Sequence, residues 1–424
     1  MPRLSSRNRR PATDTPRSNI RALLDSLTAQ QPAMLAALRE LVEIESPSSD
    51  KAAVDRLGKV LAAKFAEAGG KVQFHRAERY GDHLQVDFAG ERSGKPILLL
   101  GHFDTVWALG TLTQMPFRVC DGRAFGPGAY DMKAGIVMML FALRALQQMR
   151  RGRVEAGDSP ALLNSPNPAG GSPASTRPAL PRPVTVLLVT DEEVGSESSR
   201  SITELLARPA EAVLVLEPSQ GPRGALKTAR KGVGDYTVHV TGRAAHSGVD
   251  FEKGESAIVE LAHQIERIAH FTDLKRGLTV NPGVVRGGTR TNVIAAEAEV
   301  QVDVRIARLA DASLVEKKFR ALRPRNRKCK LAISGGINRP PMERSAGVAA
   351  LYERARRLGA EIGWKVEEAA TGGGSDGNFT AALGLPTLDG LGAVGEGAHA
   401  TNESVVLAEW PRRTALLAAL LSEL

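Results

Sequence analysis

Three short apolar runs, each followed at once by residues of metal-ligand type, constrain this chain more than any other feature. They are PILLL (96–100), VTVLLV (184–189) and AVLVL (212–216). A run this short and this apolar fits a strand buried on both faces, as in parallel sheets covered by helices. His102 and Asp104 follow the first run. Asp191, Glu192 and Glu193 follow the second, and Glu217 the third. Open α/β sheets bind ligands beyond the carboxyl ends of their strands, so the pattern predicts one site fed by three strands. Histidine nitrogen and carboxylate oxygen are donors that suit a divalent ion such as Zn²⁺.

The surrounding pattern extends this picture. Apolar residues at spacings of three and four predict helix from about Asn19 to Leu57, and again from Val54 to Ala68. Ile136 to Met149 is apolar on most sides and reads as a buried helix. Strands alternating with helices predict an α/β layer with a largely parallel sheet. From about Lys231 the texture changes. Residues 235–240 and 298–306 alternate in period two, and helical stretches lie at 256–268 and 312–322. Half-buried antiparallel strands backed by two helices predict a separate α+β unit, ending near Gly335-Gly336. The 424-residue length is itself too great for one ordinary core. The expected division is a catalytic domain at 19–228 and 338–424, interrupted by a second domain at 229–337. Residues 151–183, dense in Pro, Gly, Ser and Ala, read as a flexible surface insertion.

The net charge of +9 is unevenly placed. Six arginines fall within the first 21 residues, and residues 1–18 read as a disordered basic tail. The run from Lys317 to Lys330 reads as a solvated face; a patch for nucleic acid or an acidic partner is the rival reading. Aromatic residues are only 4% of the chain, which argues against a stacking platform for nucleic acid. The two cysteines, Cys120 and Cys329, lie in unrelated contexts and imply neither a zinc cluster nor a disulfide framework. Without an apolar signal segment or a membrane-length run, the simplest expectation is a cytoplasmic enzyme with no membrane and no nucleic-acid partner.

Taken singly, the polar motifs admit plain structural roles. Gly101-His-Phe-Asp104 would serve as a strand-end turn, Asp191-Glu-Glu193 as an acidic helix start and Asp131 as an N-cap. Glu217-Pro218 would serve as a surface turn and His399 as a solvent-exposed loop residue. Their conjunction and order carry the argument. GHFDTVW, AFGPGAYDMKAG, TDEEVGS, LEPS, GRAAHSG, TGGGSDG and GAHA together resemble the aminoacylase/carboxypeptidase family of di-zinc metallopeptidases. The nearest branch is the glutamate carboxypeptidases of the carboxypeptidase G type. The resemblance runs from about residue 20 to the C-terminus, apart from the 151–183 insertion.

That resemblance implies a phosphorylase/hydrolase-like α/β catalytic domain with an inserted ferredoxin-like lid and dimerisation domain. It implies two Zn²⁺ per subunit, with Co²⁺ or Mn²⁺ as possible substitutes. His102 and Glu217 would hold one ion, Glu193 and His399 the other, and Asp131 would bridge both. The Asp131-Met132 bond would be cis, and Asp104 would orient the ring of His102. Two such ions can share one hydroxide and lower its pKa. Glu192 would act as general base and then acid, taking the water's proton and passing it to the leaving amine. His246 would polarise the scissile carbonyl; in dimeric members of the family it comes from the partner subunit. Asn292, Arg305 and the Gly373 loop would contact a substrate carboxylate, for which a guanidinium provides a bidentate fork.

The implied reaction is hydrolysis of a peptide or N-acyl amide bond in a small, carboxylate-bearing molecule or short peptide, by a homodimer. An N-acyl-amino-acid deacylase is the alternative within the family. A non-catalytic binding protein on the same fold is the alternative outside it, and the complete ligand set with Glu192 argues against that. One departure bears on substrate. The carboxypeptidase G type tends to carry an arginine before Thr-Gly-Gly-Gly, where this chain has Ala369-Ala370.

Overall fold

The structure, a computed structural model, describes residues 19–155 and 179–424. The first lobe is built on a six-stranded sheet. Its spatial order is Lys71–His75, His83–Phe88, Val184–Val189, Ile97–His102, Ala212–Val215 and Thr387–Leu388. The first two pairings are antiparallel and the remaining three parallel.

The apolar runs are continuous because both faces of the sheet are covered. Successive strand side chains point to opposite sides. Ile97, Leu99, Val184, Val186, Leu188, Ala212 and Leu214 accordingly join a large core shared with the helices Ala134–Glu155 and Trp410–Glu423. Leu98, Leu100, Leu187, Val189, Val213 and Val215 join a smaller core on the other face, against the helix Arg200–Ala207. Each fully buried side chain of this kind contributes about 1.5–3 kcal/mol by leaving water. Contact with the sheet is close at two glycines. A Cβ at Gly135 would lie 2.3 Å from the carbonyl oxygen of Leu216, and one at Gly392 would lie 2.2 Å from the same atom.

The second lobe runs as strand, helix, strand, strand, helix, strand, a ferredoxin-like order. Its sheet, Thr279–Gly287, Glu297–Ile306, Gly232–Thr241 and Lys330–Arg339 in space, is antiparallel throughout. The alternation seen in sequence is reproduced in burial, with Tyr236, Val238, Val240, Val300, Val302 and Val304 inward. The helices Ala257–Ala269 and Ala310–Arg320 cover that face, and Phe319 stacks on Tyr236 with ring centroids 3.9 Å apart. Ser256 caps the first of these helices through the amide of Val259.

Several expected boundaries differ. The N-terminal helical stretch divides into Ile20–Ala29, Gln31–Val42 and Lys51–Glu67. Pro32 lies in the first turn of the second helix, the one place a helix tolerates it. The strand Lys330–Arg339 runs straight through Gly335-Gly336. The helix begun at Ala134 continues to Glu155, inside the stretch read as an insertion. At the other end of that stretch Leu180 is buried and bridges to Gly90. The expected basic tail and residues 156–178 lie outside the described residues. Among the described residues, no helix is long and apolar enough to cross a membrane.

Candidate active site

The strand ending at His102 is parallel to the strands ending at Val189 and Val215. Parallel neighbours place their carboxyl ends at one edge, so His102, Glu192, Glu193 and Glu217 converge there. Asp131 enters from the helical turn Ala129–Lys133, where the Asp131-Met132 peptide is cis. His399 enters from the loop between Gly395–Glu396 and Ser404–Val406, at a positive φ of 63°.

The ring of His102 is buried, with Nε2 3.3 Å from Asp131 Oδ1 and 3.5 Å from Glu217 Oε1. Nε2 of His399 lies 3.5 Å from Asp131 Oδ2 and 3.0 Å from Glu193 Oε2. Asp131 thus offers one oxygen to each histidine. On its other side, His102 Nδ1 is 3.1 Å from the Asp104 carbonyl oxygen and 3.4 Å from Asp104 Oδ1. Asp104 Oδ2 accepts from Ser48 Oγ at 2.7 Å and from the Glu193 amide at 3.3 Å, while the buried Oδ1 has no hydrogen-bond partner.

The acidic triplet separates into different surroundings. Asp191 turns away, accepting from the amide and hydroxyl of Ser198 at 2.7 Å each. Glu193 faces His399. Glu192 faces Arg339, whose Nη2 is 2.9 Å from Glu192 Oε1. The short 3-10 turn Glu192–Val194 closes on Gly195, at a φ of 100° that favours glycine.

Crowded carboxylates in a buried site shift their own protonation. Burial raises Glu192 well above the usual carboxylate range, against the pull of Arg339. Burial, reinforced by the Asp131 charge, pushes Glu217 up to about 7. Burial also raises Glu193, although His399 opposes it. Asp131 is held low against its burial by bonds to His102 and His399. Bonds to Asp131 and Glu193 push His399 up to about 10. His102 is driven well above its ordinary value by Asp104 and Asp131, despite burial that disfavours its charge. Such a set, rich in acceptors and short of cations, fits divalent ions. One candidate oxygen or nitrogen from each of His102, Glu192 and Glu217, and likewise of His102, Asp131 and Glu193, falls within 4.8 Å of the others.

A family model described as "Peptidase family M20/M25/M40" matches residues 98–160, and one described as "Peptidase dimerisation domain" matches residues 228–326. The chain is 30% identical over 411 residues to carboxypeptidase G2 of Pseudomonas sp. (strain RS-16), covering 95% of this chain and 92% of that protein. The chain belongs to the M20/M25/M40 peptidase family. It is therefore a metallohydrolase, as the histidine and carboxylates at its strand ends predict. Another member, acetylornithine deacetylase of Salmonella arizonae, is 26% identical over 297 residues, covering 65% of this chain and 68% of that protein. In fold, the chain matches the crystal structure of aminopeptidase PepT from Bacillus cereus with a TM-score of 0.70 at 22% identity, covering 93% of this chain and 98% of the other.

The remaining M20 candidates are distributed differently. Gly373 borders the cluster, since its carbonyl accepts from Arg230 Nη1 at 3.2 Å and Arg230 Nη2 is 3.5 Å from Glu217 Oε2. His246 and Asn292 lie on adjoining segments of the second lobe, where the Ser247 amide donates to the Asn292 carbonyl at 3.0 Å. Among the described residues, no hydrogen bond or ion pair joins either of them to the carboxylate cluster. Arg305 turns its Nε onto Asp303 at 2.7 Å. The sequence reading missed Arg230, Arg339 and Glu403. Arg230 is buried and pairs with Asp389 through Nε and Nη2 at 2.8 Å each. Arg230 and Arg339 stand where the chain enters and leaves the second lobe. That change of texture was the only signal available for them.

Proposed function

We propose that the chain hydrolyses a peptide or N-acyl amide bond in a small substrate bearing a free carboxylate, in the manner of a glutamate carboxypeptidase. His102 and Glu217 would hold one divalent ion, Glu193 and His399 a second, and Asp131 both, with zinc the metal these donors suit best. The carrying observation is the division of Asp131, whose two oxygens each face a different histidine ring nitrogen. When bound, such a pair of ions lowers the pKa of water and stabilises negative charge growing on the scissile carbonyl oxygen.

The chain's own groups supply the rest. Arg339 occupies Oε1 of Glu192, which leaves Oε2 to take the water's proton. The same carboxyl then delivers that proton to the leaving amine nitrogen. The raised Glu192 carboxyl suits this exchange, because a base with a very low pKa would not capture the proton. Asp104 holds the His102 ring in place. The Gly373 loop brings backbone close to the substrate. Residues 229–337 form the lid and dimerisation domain, so that His246 serves the active site of a homodimer from its partner, while Asn292 and Arg305 contact the substrate carboxylate. Support comes from the exposure of His246 and its lack of a bond to its own cluster, together with the match to a dimerisation-domain model.

A deacylase is the second reading, favoured by the acetylornithine deacetylase match and by Ala370, which is exposed just before the glycine loop and brings no cation. Metal analysis of the pure protein, with a Glu192→Ala comparison on a panel of dipeptides and N-acyl amino acids, tests both. Absence of divalent metal, or a variant as fast as wild type, would defeat the mechanism. A strong preference for C-terminal glutamate would favour the carboxypeptidase reading and show that Ala370 costs nothing.

A further inference from the structure

Glu403 is buried, and every partner of its carboxylate is an N–H group. Oε1 accepts from the amides of Tyr130 at 2.9 Å and Asp131 at 3.0 Å. Oε2 accepts from the amide of Gly128 at 2.9 Å and from Trp107 Nε1 at 2.8 Å. Among the described residues, no lysine or arginine forms an ion pair with it. Four converging donors call for a group that only accepts, which a carboxylate is and an amide is not. Burying that charge is tolerable because all four bonds are charge-assisted.

These donors belong to two different arms of the site. Trp107 follows His102 and Asp104, while Gly128, Tyr130 and Asp131 form the turn that presents the Asp131 carboxylate. Glu403 itself belongs to the third arm, that of His399. Between the two residues the chain has little slack. The Ala400 amide bonds the Gly397 carbonyl at 2.8 Å, and the Glu403 amide bonds the Ala400 carbonyl at 2.9 Å.

We infer that Glu403 is a positioning residue, whose carboxylate clamps the arms of His102, Asp131 and His399 at the spacing that two metal ions require. The inference rests on the two-metal reading of the site. It concerns the geometry of the donors and gives Glu403 no contact with substrate.

The test is titration of the full-length, metal-stripped protein with Zn²⁺ alone, followed by calorimetry. Glu403→Gln turns one acceptor into a donor that faces N–H groups, and the expected loss of Zn²⁺ affinity is about 10–100-fold. Trp107→Phe removes one of the four bonds and should weaken binding several-fold. Leu417→Ala, in the buried core of the helix Trp410–Glu423, serves as the control for a general loss of stability. It should lower the melting temperature and leave Zn²⁺ affinity unchanged. Wild-type affinity in Glu403→Gln would overturn the inference, as would an equal loss in Leu417→Ala. If Glu403→Gln does not fold, Trp107→Phe decides, and wild-type affinity there overturns the inference. A wild-type protein that binds no Zn²⁺ would instead remove the two-metal reading, and this inference with it.

Discussion

Arg339 grips Glu192 twice through one nitrogen, with Nη2 2.9 Å from the carboxylate Oε1 and 2.9 Å from the backbone carbonyl of the same residue. That grip fixes both the place and the rotation of the proposed base. Glu192→Gln should lower kcat by about 10²–10⁴-fold, the usual worth of a positioned acid–base group. Arg339→Met should lower kcat by up to about 100-fold, since displacing a reacting group by an ångström can cost that much. Both variants should keep the wild-type metal content, measured by elemental analysis beside steady-state kinetics.

Metal removal should act on stability as well as turnover. Without ions, and among the described residues, the carboxylates of Glu193, Glu217 and Asp131 form ion pairs only with His102, His399 and Arg230. An ion that binds only the folded chain adds about 2.7 kcal/mol when free metal exceeds its Kd a hundredfold. A chelator should therefore abolish hydrolysis and lower the melting temperature by several degrees, with Zn²⁺ restoring both. A melting curve indifferent to chelator would contradict this.

Subunit mixing separates the two lobes. If His246 serves the partner's site, homodimers of Glu192→Gln and of His246→Ala should each be nearly inactive. A 1:1 mixture, unfolded and refolded together, should regain about a quarter of wild-type activity. Half of its random dimers are mixed, and each of those has one intact site. No recovery would place His246 in its own subunit's site, and an active His246→Ala homodimer would place it outside catalysis.

The pair of glycines around the Leu216 carbonyl makes a packing prediction. Gly135→Ala sets a methyl 2.3 Å from that oxygen, so helix and strand must part. Overpacking of this kind costs about 1–3 kcal/mol. Because Glu217 is the next residue, metal affinity should fall along with the urea midpoint. A stability loss with unchanged metal affinity would show that the strand end absorbs the shift.

Asp311 governs an acid limb far from the site. Burial works against its charge, but Arg276 at 3.0 Å and Arg308 at 3.3 Å hold its carboxyl below the ordinary value. A lowered carboxyl stabilises the fold above its unfolded pKa of about 4, and that contribution fades as pH falls through the lower folded value. Asp311→Asn should thus cost about 2 kcal/mol at pH 7 and progressively less below pH 4. Urea midpoints measured from pH 7 to pH 3 should converge for the two proteins.

Much of the fold was legible because burial leaves a plain mark on sequence. Val184–Val189 is apolar but for Thr185 since its strand has helices on both sides, and Gly232–Thr241 alternates since its strand has them on one. The helix break at Gln30 was not legible, because the helices on either side of it pack on one core and carry one apolar period across it. In the site, residues in short ordered motifs were legible. Arg230, Arg339 and Glu403 were not. Charged side chains ordinarily face water, and what holds Glu403 is backbone amides up to 275 positions distant. Backbone amides are the same for every residue but proline, so no motif records them.

The route of the chain through the first lobe has a consequence for the growing polypeptide. His102, Asp131, Glu193 and Glu217 all precede the second lobe, whereas His399 and the clamp at Glu403 follow it. On the ribosome, the first four donors emerge well before the fifth. The pocket therefore stays incomplete until the second lobe and the segment that carries His399 have both been made.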